Sequence, residues 1–471
     1  MTRASGHRAL QVVATAVVVA ANVAPWLLPT RLAYHVAMNR DVLAGRFTVG
    51  QFSAVLIFFV LSVLALVVVW TPAGRRPKRA LQLGVLVVSV LLTGIVFDLA
   101  LRFVLPPPYT PEGDVYHRRP DTVFEGVTRD APETAFSYPD VKPGYPEFGY
   151  TLTTDGRGFR NTSALEACDV LVIGDSFAEA SEVSDEHAWP ALVAERTGKR
   201  VYNLGMAGTN PRAYLAGLRQ IGLAMKPKVV VLLFYEGNDF RVGKAKDRTG
   251  FKYAMRVYRK RSPVLNALKR VMTRAFGPIG AVRAKHVDDD HPLWPVAWLP
   301  VSAAGKHYAF EWKRLAAHWV NDADFRSSPD YAAATELVGQ MHALCRDRDI
   351  RLAVVYAPDK SHVVLPAARG AIGPEQFRAF LALKLKDLPG ASACLETLVG
   401  RVDVRENALG DFCRSTSIPF YSLTRVLRDA TAAGTQTYFT YDQHWTPDGN
   451  RVVADAVTHI LDGPLAKGII P

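Results

Sequence analysis

The sequence predicts an α/β protein, a doubly wound sandwich on a mostly parallel sheet, preceded by three transmembrane helices. Two observations carry that prediction. From Val170 onward, short apolar runs alternate with helical stretches, the pattern of strands buried on both faces by crossover helices. Before Leu105 the chain holds three uncharged stretches, each close to the ~20 residues that cross a hydrocarbon core. At 471 residues and 49% hydrophobic, the chain is long enough for a large core beside a membrane anchor.

The uncharged stretches are Ala9 to Leu28, Phe52 to Trp70 and Ala80 to Phe97. One such run could be a buried helix of a soluble protein; three within a hundred residues point to a membrane anchor over 1–105. Orientation follows from the basic residues. Arg75, Arg76, Lys78 and Arg79 crowd the loop between the second and third stretches and mark it cytoplasmic, and Arg3 and Arg8 put the N-terminus on the same side. Arg31, Arg40 and Arg46 in the first loop reduce the contrast without reversing it. An odd number of crossings then delivers the rest of the chain to the extracytoplasmic, periplasmic side of the inner membrane. Cleavage of the first stretch as a signal peptide would do the same. Asp98 and Arg102, four apart at the end of the third stretch, read as an interfacial ion pair rather than a functional intramembrane carboxylate.

Residues 106–168 leave the membrane through a stiff Pro-rich stretch and continue rich in Tyr, Pro, Gly and Thr, as an extracytoplasmic connector of short strands and turns. Over 169–471 the strands are "DVLVIG", "RVYNLG", "KVVVLLFY", "RLAVVYAP" and "IPFYSL", with helices near His187 to Thr197, from Pro211, and near Tyr331 to Arg346. A basic insertion at about 241–328 breaks the alternation. Between Arg241 and Arg274 there are 12 Lys or Arg against one acid, Asp247. This segment reads as an amphipathic helix or helix pair on anionic headgroups, as a grip on acidic polysaccharide, or as a solvated basic face over the core.

The formal net charge of +12 would suit nucleic acid. Without zinc-finger spacing, an RNA-binding signature or a basic heptad helix, nucleic acid is set aside as a partner. Cys168, Cys345, Cys394 and Cys413 have no CxxC spacing, which argues against a zinc or redox site. An extracytoplasmic domain permits a disulfide, and Cys394 with Cys413 is the expected pair. No cofactor and no metal are expected: Asp288, Asp289 and Asp290 beside His286 and His291 lack a strand framework and read as a solvated loop. Asn161-Thr162-Ser163 matches a glycosylation acceptor, a pattern too frequent by chance to weigh.

In open α/β sheets, ligands collect beyond the carboxyl ends of the strands. There this sequence puts Ser176 in "GDSF", Gly205 and Gly208 in "NLGMAG", Asn238 in "YEGND", and Asp442 and His444 in "YDQHWTPDGN". A serine hydroxyl becomes a nucleophile when an imidazole can take its proton. A strand-to-helix turn projects that hydroxyl and aims backbone N–H groups at developing negative charge. A glycine allows close backbone approach, and an Asn amide can donate to the same oxyanion. Thr446 can cap the closing helix with Pro447 in its first position, and Asp442 can fix the tautomer of His444. Taken singly, each block reads as an ordinary cap, turn or surface loop; four blocks, each after its own strand, read as a catalytic site.

In that order, these blocks resemble the SGNH (GDSL-like) hydrolase family from about Asp169 to the C-terminus, with an insertion between the third and fourth strands. The resemblance implies a flavodoxin-like sheet, Ser176 as nucleophile, His444 as base and Asp442 as its partner. It also implies an oxyanion hole from the Ser176 N–H, Gly208 and Asn238, Gly208 being preferred to Gly205 because it lies five residues after Asn203. The family's usual Asp-x-x-His ending is here Asp442-Gln443-His444-Trp445, closer to the "DxHW" of alginate O-acetyltransferase relatives, which carry that element before the serine block. Two activities follow as expectations. One is a membrane-anchored serine esterase acting on acylated carbohydrate or a lipid-like ester. The other is an O-acyltransferase modifying envelope polysaccharide with a separate membrane-bound acyl-donor protein.

Overall fold

Val170–Ile173 is buried throughout because it forms an inner strand of a five-stranded parallel sheet. The computed structural model describes residues 2–27, 42–43, 47–104, 109–112, 115–128, 130, 144–242, 262–265, 267, 298–382, 385–463 and 465. The chain divides into two compact units. One comprises Met1–Pro107, Glu133–Pro139 and Asp247–Val296; the other comprises Pro108–Pro132, Asp140–Lys246 and Ala297–Pro471.

The sheet belongs to the second unit. Its strands are β1 (Val170–Ile173), β2 (Val201–Asn203), β3 (Val229–Tyr235), β4 (Arg351–Ala357) and β5 (Phe420–Ser422). They lie in the order β5-β4-β3-β1-β2, every pair parallel. This is the flavodoxin-like order, with its crevice where the winding reverses, between the carboxyl ends of β1 and β3. Alternate residues serve opposite faces. Leu171 and Ile173 of β1, Val230 and Leu232 of β3, and Leu352 and Val354 of β4 join one apolar cluster with residues of the helices Pro211–Gln220, Pro329–Arg346 and Val404–Ser415. Val172, Val231 and Leu233 face the other way. Trp189, Val193, Val453 and Val457 are buried outside that cluster, where the helices Trp189–Thr197 and Pro447–Asp462 pack together. Each fully buried aliphatic side chain contributes about 1.5–3 kcal/mol.

The second unit also holds two antiparallel hairpins ahead of the sheet: Tyr109–Glu112 with Val115–Arg118, and Val123–Thr128 with Phe148–Thr153. Between β3 and β4 the described residues add a third hairpin, Trp298–Ala303 with Lys306–Glu311.

In the first unit the helices are Thr2–Leu27, Val49–Trp70 and Arg76–Val104. The first two are joined by Gln11 Nε2 donating to the Val69 carbonyl at 2.9 Å and Trp70 Nε1 donating to Thr15 Oγ1 at 2.9 Å. Where the sequence predicts three spans, one stretch among the described residues is both long and apolar enough to cross a membrane: Ala73–Leu101, 29 residues whose most apolar 18-residue window has mean hydropathy 2.4. The apolar parts of the other two helices, Gln11–Leu27 and Ala54–Trp70, fall short of that length. Asp98 accepts from Ser262 Oγ and from the Val264 N–H at 3.1 Å. The Arg102 side chain lies outside the described residues, as do Arg31, Arg40, Arg46, His286, His291, Asp288 to Asp290 and most of the basic segment.

The expected Cys394–Cys413 disulfide is absent; all four cysteines are free and buried. Cys413 sits inside the main apolar cluster and Cys394 outside it, each packed as a small hydrophobe on its own helix. Burial pushes the Cys413 thiol up to about 12, which leaves it unreactive.

Candidate active site

β1 ends at Ile173, and the chain turns through Gly174 and Asp175 into a one-turn helix, Ser176–Glu179. Gly174 is required there, since a Cβ would lie 2.9 Å from the Leu233 carbonyl oxygen of β3. Asp175 caps the turn by accepting from the Phe177 N–H at 2.9 Å. Between buried neighbours, Ser176 alone is half-buried, its hydroxyl raised at the carboxyl edge of the sheet.

The imidazole arrives from the far end of the chain. The loop before Pro447–Asp462 is closed by the Phe439 N–H donating to the His444 carbonyl at 3.1 Å and the Thr446 N–H donating to the Thr437 carbonyl at 3.1 Å. Thr446 caps the helix by accepting from the Gly449 N–H, with Pro447 in the first turn, as the sequence predicts. His444 Nε2 lies 2.7 Å from Ser176 Oγ, and Nδ1 lies 2.6 Å from Asp442 Oδ1, which also accepts from the His444 backbone N–H at 2.7 Å. With Nδ1–H donated to the carboxylate, Nε2 is the nitrogen free to take the serine proton. The Phe177 ring supports the imidazole at 4.9 Å between centroids and stacks on Tyr235 at 3.8 Å.

Electrostatics favour the imidazolium. Burial alone would push His444 down, but Asp442, by charge and hydrogen bond, with Asp175 and Glu182 behind it, raises it to about 9. For Asp442, burial acts upward and is outweighed by the His444 charge and hydrogen bonds, so its carboxyl is held well below the usual range.

The two glycines have different environments. A Cβ at Gly205 would lie 2.5 Å from the Glu179 backbone nitrogen, so this glycine lets β2 pack against the serine helix. Gly208 has φ +74° and open space where a Cβ would be, on the exposed side of the same loop. Asn238, in the turn after β3, donates from Nδ2 to Asp175 Oδ2 at 2.8 Å, which leaves its second amide hydrogen for another acceptor. The sheet therefore brings Ser176, His444 and Asp442 into direct contact and links Asn238 to the residue before the serine. Asn161 instead serves the fold, its Oδ1 accepting from the Asn203 N–H at 2.8 Å.

Several residues passed over in the sequence gather near the site. Asp130 and Lys360 both meet the loop that carries Asp442. Beneath the β3 and β4 ends, fully buried His362 holds Glu236 Oε2 and Asp403 Oδ1, each at 2.8 Å. Burial would lower this imidazole; the Glu236 charge and the bonds to both carboxylates raise it to about 10. His362, Asp403 and Glu406 bring donor atoms within 4.8 Å of one another. Both imidazole nitrogens are already engaged, however, and Arg428 donates to Asp403 Oδ1 at 2.8 Å, so this is a charge-balanced imidazolium network rather than a vacant ligand set. It lies under Glu236–Asn238 and braces the turn. Only "APDKSH" hinted at it, by placing charged residues directly after an apolar strand.

A five-stranded parallel sheet thus carries Ser176, His444 and Asp442 in one hydrogen-bonded chain. Among solved structures the chain is similar to one described as a lipolytic protein of the G-D-S-L family from Desulfitobacterium hafniense, at 12% identity, covering 62% of this chain and 98% of that one, with a TM-score of 0.29. It is similar also to an SGNH hydrolase from Slackia heliotrinireducens, at 10% identity, covering 63% and 99%, TM-score 0.30. A third is an acetyl xylan esterase, at 13% identity, covering 62% and 99%, TM-score 0.29. At these scores the likeness carries no argument of its own. No protein-family model and no curated protein matches the chain.

Proposed function

We propose that the protein is a membrane-anchored serine esterase that cleaves carboxylic esters, with acetyl esters the first choice, through an acyl-serine intermediate. The observation that carries this reading is the unbroken hydrogen-bond chain Ser176–His444–Asp442, at 2.7 and 2.6 Å. In the first half-reaction Ser176 Oγ bonds to the ester carbonyl carbon while its proton passes to His444 Nε2. The carbonyl π pair moves onto oxygen, held by the N–H groups of Ser176 and Gly208 and the Asn238 amide. Collapse of this intermediate breaks the bond to the alcohol, which leaves with the proton from His444. Water then repeats the sequence on the acyl-serine and releases the carboxylic acid. The full chain in detergent should release p-nitrophenol from p-nitrophenyl acetate, and Ser176→Ala should reduce kcat by about 10³-fold or more. Release that survives the substitution would remove Ser176 from the mechanism.

The Asp442-Gln443-His444-Trp445 element supports a second reading, transfer of the acyl group to a polysaccharide hydroxyl from a separate membrane-bound donor protein. Supplying an acyl ester with excess oligosaccharide and weighing the products distinguishes the two, since transfer yields acyl-sugar faster than free acid. In both readings 1–105 anchors the chain in the inner membrane, 106–168 connects, and 169–471 works outside the cytoplasm. The apolar run within Ala73–Leu101 and the basic residues Arg75, Arg76, Lys78 and Arg79 at its start support that arrangement.

A further inference from the structure

We infer that Lys360 and Asp130 are positioning residues, which grip the loop 439–442 from its carbonyl and amide sides and so hold the Asp442 carboxylate against His444. The inference rests on the catalytic reading of Ser176, His444 and Asp442. Lys360, at the start of the helix Lys360–Ala368, is fully buried. Its ammonium has three hydrogens, and Nζ donates to the carbonyls of Phe439 at 3.1 Å, Thr440 at 2.6 Å and Asp442 at 2.9 Å. Asp130, also buried, takes the other side of the same peptides. Its Oδ2 accepts from the Thr440 N–H at 2.6 Å, and its Oδ1 accepts from the N–H groups of Tyr441 at 2.8 Å and Asp442 at 3.1 Å. A further bond, from the Tyr145 N–H to Oδ2 at 2.6 Å, ties Asp130 to the chain before the second connector hairpin's return strand.

Across Phe439–Asp442 the backbone partners are the Phe439 N–H donating to the His444 carbonyl and the Ala309 N–H donating to the Thr440 carbonyl at 2.9 Å. The N–H groups of Thr440, Tyr441 and Asp442 go to Asp130 and the carbonyls of Phe439, Thr440 and Asp442 to Lys360, so these two side chains take most of the loop's peptide groups. Burying an ammonium is costly unless every donor is used, and here all three are. Asp442 needs such support. Its side chain is 46% exposed, yet one of its oxygens must meet both the backbone N–H and the Nδ1 of His444. The remaining charged groups facing His444 are Asp175 and Glu182, neither of which touches the loop's backbone.

A loosened grip should uncouple Asp442 from His444, which a loss of overall stability would not do. Lys360→Met keeps the length and removes the donors; Asp130→Asn keeps the shape and removes the charge. The test is the pH profile of kcat/KM for p-nitrophenyl acetate on the full chain in detergent, with active sites counted by fluorophosphonate labelling. In either variant, kcat per labelled site should fall about 10- to 100-fold with KM within about twofold of the parent. The acid limb should move down by about one pH unit as His444 loses its carboxylate partner. Unmoved limbs with kcat per site at the parent's level would overturn the inference, as would, in Lys360→Met, an acid limb that moves up, the sign of a through-space charge effect alone. Should Lys360→Met not fold, Asp130→Asn decides on kcat per labelled site, since loss of its charge alone also lowers the acid limb, and kcat at the parent's level would overturn the inference. Failure of the catalytic reading is recognised separately, by Ser176→Ala retaining the parent's release.

Discussion

In the proposed mechanism His444 must be neutral to accept the serine proton, yet Asp442 raises it to about 9 against the opposing effect of burial. The sign follows directly: a raised base is lost to protonation as pH falls below its own value, so kcat/KM should drop tenfold per unit on the acid side. Lys360 acts at the other limb. Burial pushes its ammonium down to about 8, with Asp130 and Asp442 opposing, so the positively charged grip is lost as pH rises. The two limbs should leave a narrow maximum near pH 8.5, and a flat plateau from pH 6 to 10 would contradict both assignments. Asp442→Asn should move the acid limb down toward an ordinary imidazole while reducing kcat by about 10²- to 10⁴-fold, as expected when the wrong tautomer is favoured. A limb that stays put would mean that Asp442 does not set the state of His444.

At the scale of elements, the serine turn depends on how closely β2 approaches it. Gly205→Ala drives a methyl into the backbone of Ser176–Glu179, where no rotamer change can relieve it. It should cost about 1–3 kcal/mol, seen as a fall in Tm of about 3–10 °C, and should lower kcat as Ser176 shifts. Gly208→Ala meets open space and only the strain of φ +74°, about 1–2 kcal/mol, so its Tm should fall less. Equal losses at the two positions would reject this division of roles. The five strands and the residues just beyond them were legible because continuous apolar runs and short polar motifs adjoin in sequence. Ser176 and Asn238 could be found by where their strands end, whereas Asp442 and His444, in the loop after the helix Thr424–Ala432, were marked by the capping motif of the closing helix. Asp130 and Lys360 could not, since they act on the backbone of a loop 310 and 80 positions away, and neither periodicity nor motif spacing registers such a contact. The disulfide expectation failed for a related reason: compartment permits oxidation, but only packing decides which cysteines meet.

For the whole molecule, the orientation proposed across the membrane is a matter of charge rather than packing. Arg75, Arg76, Lys78 and Arg79 precede most of the long apolar stretch, and such a cluster is retained on the cytoplasmic side. Arg76 is drawn toward the end of the preceding helix, its Nη2 donating to the Val69 carbonyl at 2.9 Å and its Nε to the Thr71 carbonyl at 3.0 Å, so the turn is held close to that helix end. Beyond the apolar stretch everything including Ser176 and His444 should face outward, where an acylated envelope glycan could reach it. The chain offers a clean way to check this, because all four of its cysteines are buried and should resist a bulky reagent. Arg425→Cys, at a side chain 92% exposed on the helix Thr424–Ala432, should be labelled in intact cells of a permeable-outer-membrane strain by a maleimide that cannot cross the inner membrane. Arg79→Cys, exposed near the start of that stretch, should be labelled only after that membrane is opened. The reverse pattern would place the active site in the cytoplasm and rule out an envelope polysaccharide as its acceptor or substrate.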